Sequence, residues 1–522
     1  MKRNIIFALC LPALVSVGLL FTAAFHAVVA DERPNIVFIM SDDHSAGAIS
    51  SYGSRLIQTP GIDRLAQEGM RFDNCFVPLS LCAPSRAAIL TGQHPHKNGM
   101  MRNYTPLDVS LPTFPKVLQT SGYQTALVGK WHLISQPQGF DFYSIMDGQG
   151  RYFDCPFLES GRPWPDVINA QTLIEDPRRP DQNTSDGPAP MVIRPGYLTD
   201  VITDTAITWL ENRDKNKPFC LLIHHKAAHT PHRYPERFEQ LFTEDIPYPA
   251  TFTDDWKTRD TLRQAEAIYS KFTLIFPGDI QGNELGNRPI MDRSDPGAFR
   301  PWAYQVFMKG YLRLVASMDE NIVRLLDYLD QAGLSDNTLV IYTSDNGFFL
   351  GDHGLYNKMW MYEESLRVPL IVRFPGKIAK ETVCTQMVST LDFAPTFAAL
   401  AGAEQPKEFQ GSSLLPLFAD AKTSAWTREV HYYHYYGQYG VPSHFGIRTA
   451  SHKLLCFYDI AEEPVWELFD LTSDPNELVN LAGKPQHTAL LASMKKRLIE
   501  EIEENGAVLP ETVKKTYADF VR

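Results

Sequence analysis

Excess positive charge is missing from this 522-residue sequence: 49 lysines and arginines face 61 acidic residues, a formal net charge of −12. Non-specific attraction to nucleic acid or to an anionic membrane surface is thereby disfavoured, so an anionic substrate has to meet a local basic site. Cysteine is scarce and unpatterned. Cys10 falls in the first apolar segment, and Cys75, Cys82, Cys155, Cys220, Cys384 and Cys456 follow at wide, irregular spacings. They define no disulfide framework and no Cys-x-x-Cys pair for zinc, although an oxidising compartment would permit a bridge or two. No internal repeat with a period of about 20 to 50 residues is visible, which removes repeat arrays from consideration. Long uncharged runs are confined to the start, where Lys2 and Arg3 precede Ile5 to Phe25 and the small residues Val28-Val29-Ala30 precede Asp31. That order reads as a signal peptide over residues 1–30, giving a secreted or periplasmic chain without stable membrane insertion; an uncleaved anchor is the alternative.

What is present points to a folded enzyme-sized core. A composition of 44% hydrophobic and 21% charged residues excludes wholesale disorder and can bury a large interior. Pro34 to Met40 is a short apolar run rich in β-branched residues that stops at Ser41-Asp42-Asp43, as a buried parallel strand does. Thr125 to Val128, Phe219 to His224, Thr338 to Thr343 and Val368 to Phe374 read the same way, separated by helical patterns such as Thr199 to Asn212 and Tyr311 to Ala332. The fold class expected is α/β: a large doubly wound, mixed but mostly parallel sheet flanked by helices over residues 31–421. Residues 147–197 and 276–300, rich in Pro, Gly, Asp and Asn, read as surface excursions. From residue 422 to 522 short aromatic strands (Val430 to Tyr436, Phe445 to Ala450, Lys453 to Phe457) and a helix near Leu490 to Glu504 predict a smaller α+β domain with an antiparallel sheet.

In doubly wound sheets ligands bind at the carboxyl ends of strands, and the polar punctuation gathers there: Asp42-Asp43, Lys130-Trp131-His132, His229 and Asp345-Asn346. Asp42, Asp43, Asp345 and the amide oxygen of Asn346 make an all-oxygen set suited to a hard divalent cation, although each pair alone suits a helix cap or turn equally well. Lys130 and His132 are two apart, so on extended chain both point to one face. With Pro84 in a first helical turn, Cys82 sits beside unpaired backbone donors, and Arg86, four residues on, shares its face. Taken singly, His132, His229 and Lys358 have ordinary structural readings. Ser344, Asp352 and His353 read as turn formers or as supports for the metal segment. The run His431 to Tyr436, with Tyr439 and His444, reads either as a sugar-binding face or as a packed strand.

Cys82-Ala-Pro-Ser-Arg86 followed by Ala-Ala-Ile-Leu-Thr-Gly92 resembles the signature C-x-P-S-R-x-x-x-L-T-G of type I, formylglycine-dependent sulfatases of the alkaline phosphatase superfamily. The similarity runs on through Pro34-Asn35-Ile36-Val37, Asp42-Asp43, Gly129 to His132, His225 to Pro231, Ser344 to Gly347, Asn357 to Ser365, Phe445 to Thr449 and Trp466 to Leu471. It departs at Ala228, where related enzymes often have proline. The resemblance implies that Cys82 is oxidised to formylglycine by a maturation enzyme. Its hydrate would attack sulfur, and its second hydroxyl would give sulfate a route of departure that serine lacks. It further implies one calcium ion held by Asp42, Asp43, Asp345, Asn346 and an oxygen on residue 82. Arg86 and Lys130 would stabilise the sulfuryl oxygens, His229 and Lys358 would assist the leaving alcohol, and His132 would remove the last proton. Likeness around His225 to Pro231 and Asn357 to Ser365 is to sulfatases of sulfated polysaccharides, including N-acetylglucosamine-6-sulfatase-like enzymes, which implies a sulfated carbohydrate substrate. The alternatives are a phosphate or phosphonate monoester hydrolase of the same superfamily and a non-catalytic sulfated-glycan-binding relative.

Overall fold

A computed structural model describes residues 33–164, 191–264, 294–509 and 513. The leader expected over 1–30 lies outside these residues, as do parts of both expected excursions. The described core is a ten-stranded sheet. Its spatial order is β12 (Thr382–Ser389), β2 (Met70–Phe76), β11 (Arg367–Arg373), β8 (Thr338–Ser344), β1 (Asn35–Ser41), β7 (Phe219–His224), β3 (Gln124–Lys130), β4 (Phe142–Met146), β5 (Pro156–Glu159) and β6 (Val192–Ile193). The middle, β8-β1-β7-β3-β4, is wholly parallel, while β11 runs antiparallel to both neighbours and β5 and β6 are antiparallel at the far edge. The sheet is therefore mixed, with its uniform part where the polar strand ends cluster.

Strand alternation builds the two layers that bury it. Ile36, Phe38 and Met40 of β1 face the helices Cys82–Thr91, Phe114–Thr120 and Phe393–Leu400. Val37 and Ile39 face Pro60–Gln67, Leu198–Asn212 and Pro296–Gln331. The last of these helices starts well before the expected Tyr311. Asp295 caps it, accepting from the N–H groups of Gly297 and Ala298 at 3.0 and 3.3 Å, and Pro296 occupies the first turn. Residues 296–300 thus belong to a helix rather than to an excursion; a Pro- and Gly-rich start is as compatible with a capped helix as with a loop.

β9 (Phe349–Leu350) and β10 (Tyr356–Asn357) form a two-stranded ribbon beside the sheet's carboxyl edge. The C-terminal segment holds an antiparallel sheet of β13 (Val430–Tyr435), β14 (His444–Thr449), β15 (His452–Phe457) and β16 (Val465–Asp470), covered by the helix Thr488–Glu504. Its other face packs on Phe76, Leu79, Leu81 and Trp360 of the larger unit. The aromatic run is thereby used on both sides: Tyr433 and Tyr435 enter the seam and Tyr432 lies under the helix. A sugar-binding face along 431–435 is ruled out by this burial, and the packed-strand reading holds. The six described cysteines are buried and unpaired.

Candidate active site

Backbone bonds at the carboxyl edge draw three segments together. Asp42 N–H donates to Ala227 O at 3.0 Å, Ala228 N–H donates to Asp42 O at 2.7 Å, and Asp345 N–H donates to Ser41 O at 3.2 Å. Alanine at 228 supplies a donor that a proline there would lack. Gly129, at φ +103°, ends β3 tightly against β7: a Cβ would lie 2.0 Å from His224 O. Gly347 likewise has room for no side chain, since a Cβ would fall 2.3 Å from Glu364 O. Asp43, His132, Asn357 and Met359 all have positive φ between 58 and 88°. Non-glycine residues occupy that region at a cost of about 1 kcal/mol or more, and such positions cluster at functional sites.

The expected residues meet there. Cys82 begins its helix and is buried, as is every residue of that helix. Its Sγ lies 3.0 Å from Lys358 Nζ and 3.6 Å from Asp42 Oδ1. Lys358 Nζ also pairs with Asp43 Oδ1, and Lys130 Nζ pairs with Asp42 Oδ2. Arg86 donates from Nε to Asp345 Oδ2 and from Nη1 to Lys130 O, each at 2.9 Å. His229 accepts no bond at Nε2, which stands 3.8 Å from Asp43 Oδ2, while Nδ1 bonds Thr230 O at 2.7 Å and so carries the ring hydrogen. One expectation fails in its reason. β3 stops at Lys130 and His132 has φ +58°, so the two side chains do not share a face of extended chain.

Their link is Gln149, which sequence reasoning missed. It accepts from Lys130 Nζ at 2.5 Å and its Nε2 lies 3.3 Å from His132 Nε2. Gln149 follows the carboxyl end of β4 in Asp147-Gly148-Gln149-Gly150, the same signal that marked the other segments. Ser344 lies beside the segment: its hydroxyl accepts from His44 N–H and donates to Asn346 O, both at 2.9 Å. His353 instead bonds Asp254 Oδ2 at 2.9 Å, and with Asp352 it forms a short 3₁₀ turn.

Burial sets the protonation of the centre. It pushes the Cys82 thiol up to about 12 against the opposing charge of Lys358. It raises Asp345 to about 7, with the Asp42 charge adding to it. Burial also resists ionisation of Asp42, but the charges of Lys130, Arg86 and Lys358 outweigh it and hold that carboxyl well below its usual range. Burial lowers both His132 and His229 well below neutrality, so both rings are uncharged. One ligand oxygen from each of Asp42, Asp43 and Asp345 falls within 4.8 Å of the others, and the buried Oδ1 of Asn346 has no partner. This all-oxygen set fits a hard divalent cation, which would relieve the crowding of three carboxylates. Arg86 Nη2 and His132 Nδ1 are also buried without partners among the described residues. A buried unpaired donor costs about 1–3 kcal/mol, a cost that a bound oxyanion removes.

With that geometry established, comparison with known proteins is informative. The sulfatase family profile matches residues 34–403, and that of the N-sulphoglucosamine sulphohydrolase C-terminal region matches residues 351–504. An N-acetylglucosamine-6-O-sulfatase of Bacteroides thetaiotaomicron is 40% identical, over 91% of this chain and 86% of the relative. An arylsulfatase of Clostridium perfringens is 28% identical over 90% and 95%. A solved structure in complex with its substrate D-glucosamine-2-N,6-O-disulfate superposes with a TM-score of 0.79 at 38% identity, covering 91% of this chain and 98% of that one. The order of the motifs along the chain and this likeness over nearly all of it have one meaning: the chain belongs to the sulfatase family.

Proposed function

We propose that the protein hydrolyses a sulfate ester of a sulfated carbohydrate, using formylglycine made from Cys82 and a bound calcium ion. The observation that carries this reading is the position of Cys82 Sγ, the atom that maturation replaces with oxygen. It lies 3.0 Å from Lys358 and 3.6 Å from Asp42, in a buried ring of three carboxylates and three cations. The relative named for N-acetylglucosamine 6-O-sulfate and the structure with a 6-O-sulfated glucosamine make a 6-sulfated glucosamine the first substrate to offer.

When present, the hydrated aldehyde supplies the nucleophilic oxygen and the cation supplies Lewis-acid polarisation, with Asp42, Asp43, Asp345, Asn346 and residue 82 as its holders. The remaining work belongs to side chains already in place. Arg86, anchored to Asp345 and to Lys130 O, offers Nη2 to a sulfuryl oxygen, and Lys130 adds a fixed charge beside it. Lys358 serves the departing alcohol as a charged donor, and His229 joins it at Nε2 once that nitrogen has taken up a proton, since the uncharged ring carries its hydrogen on Nδ1. His132, whose Nε2 lone pair receives the Gln149 amide, takes up the proton that accompanies release of sulfate in exchange for that bond. Three cations against three carboxylates leave the ring neutral, so a divalent ion makes it positive, matching an anionic ester in a chain that is acidic overall.

The charged start and apolar run of residues 1–30 support export to the periplasm or beyond, which N-terminal sequencing of the mature protein tests. Among the described residues no helix is long and apolar enough to cross a membrane. The activity is tested by ion chromatography of sulfate released from N-acetylglucosamine 6-sulfate, with N-acetylglucosamine 6-phosphate in parallel. Mass spectrometry of the peptide holding residue 82 accompanies it. Sulfate release, loss of activity on chelation and recovery with calcium are expected; a preference for phosphate, or an unmodified thiol in active protein, overturns the proposal.

A further inference from the structure

Two loops distant in sequence meet at the start of the Cys82 helix. Asn103 is 6% exposed, and its Oδ1 accepts at 3.1 Å from the N–H of Ala83, next to Cys82. Nδ2 of the same amide donates to Tyr439 Oη at 3.1 Å, and Tyr439 donates in turn to Tyr104 Oη at 3.0 Å. The backbones interlock as well: Asn103 N–H donates to Gln438 Oε1 at 3.1 Å, and Arg102 donates to Tyr436 O at 2.7 and 3.1 Å. A row of bonds thus climbs from the helix end to Tyr104, which is 37% exposed. Tyr439 is half-buried, and the bond from Ala83 to Asn103 keeps the row beside the reacting residue.

Both tyrosines hold unusual backbone conformations, φ +70° at Tyr104 and +54° at Tyr439. A bulky residue there is strained, and strain persists where the surroundings over-determine it, as the mutual grip of these loops does. The row also has a direction. Asn103 and Tyr439 each donate outward, so Tyr104 Oη accepts from the protein and keeps its own hydrogen for a ligand, strengthened by the donors behind it. An exposed ring with an oriented hydroxyl suits a pyranose, whose C–H face packs on the ring while a hydroxyl accepts at its edge.

We propose that Tyr104, aligned by Tyr439 and Asn103, forms a carbohydrate subsite beside residue 82 that holds the sugar bearing the sulfate. The inference deepens the sulfated-carbohydrate reading above and rests on it. Its test compares Tyr104→Phe and Tyr439→Phe with wild type in the full-length protein, on N-acetylglucosamine 6-sulfate and on 4-nitrophenyl sulfate, which has no hydroxyl to accept from Tyr104. In Tyr104→Phe the ratio of sugar to aryl kcat/KM is expected to fall about five- to ten-fold, chiefly through the sugar KM. In Tyr439→Phe, where Tyr104 loses its alignment but keeps its hydroxyl, a fall of about two- to three-fold is expected. A merely structural role lowers both substrates together; a ratio equal to wild type in Tyr104→Phe overturns the proposal. Should wild type release no sulfate from the sugar, the catalytic reading fails by itself. Calorimetry of N-acetylglucosamine 6-sulfate on Cys82→Ala, with and without Tyr104→Phe, then decides the subsite: weaker binding in the double variant upholds it and equal binding refutes it.

Discussion

At the carboxyl edge of the large sheet, Arg86, His132 and Asn346 each keep a buried polar atom without a partner among the described residues, whereas in β13 His431 to Tyr435 bond to the protein, Tyr436 Oη just past the strand and His444 Nε2 on β14 being the atoms left over there. His431 bonds Val77 O at 2.9 Å, Tyr432 bonds His434 at 3.0 Å, Tyr433 donates to Met359 O at 2.7 Å, His434 reaches Tyr458 at 3.0 Å and Tyr435 donates to Gln438 O at 2.7 Å. In composition both regions suggest ligand binding. The difference is one of satisfaction: a strand interior in a packed sheet finds partners for its polar atoms, while strand ends hold atoms that only a ligand completes. Tyr433 joins the two regions, since the carbonyl it holds belongs to the residue after Lys358.

The contrast can be broken most severely at the edge. Cys82→Ala and Asp345→Ala should each lower sulfate release by about four orders of magnitude or more, with circular dichroism and unfolding cooperativity retained. Near wild-type rates in either variant would remove the edge from the chemistry. Arg86→Lys keeps a cation but lacks the second guanidinium nitrogen, so kcat should fall about 100-fold. An unchanged kcat would mean that the free Nη2 meets no sulfuryl oxygen. Gln149→Leu removes the bridge between Lys130 and His132. Its kcat should drop about ten-fold with an altered pH profile, because His132 loses its fixed orientation; a loss in KM alone would argue against that role.

The smallest effect concerns stability in the satisfied region. Burial lowers His431 to about 3, so between that value and the unfolded value near 6.5 the unfolded chain binds one more proton there than the folded one. Stability from this group is therefore complete above about pH 6.5 and is lost as pH falls, by about 1.4 kcal/mol per pH unit. His431→Gln keeps a donor for Val77 O and should flatten the pH dependence of urea unfolding between about pH 7 and 5 by roughly that slope. A slope identical to wild type would show that the ring protonates in place and that β13 is not sealed.

Legibility followed the length scale of each signal. Parallel strands such as Asn35–Ser41 and Phe219–His224 were readable because a strand buried on both faces leaves an unbroken apolar run. Helix starts were less so: the Asp295-Pro296 cap lay inside a segment whose composition suggested a loop. The ten candidate residues were legible through strand ends, a long contiguous signature and the resemblance it carries, while Gln149 and Asn103 were not, since each acts through contacts with residues outside its own segment.

By itself the sequence determined the central parallel strands, the oxygen-rich and cationic residues of the edge, and the cysteine at a helix start, all of which depend on neighbours within a few positions. Only the tertiary structure decided that His132 leaves the strand, that the tyrosine and histidine run of β13 is interior, and that Tyr104 and Tyr439 meet across 335 residues. The reason is physical: burial and hydrogen-bond satisfaction belong to pairs of segments brought together by folding, and no local pattern records which pair will meet.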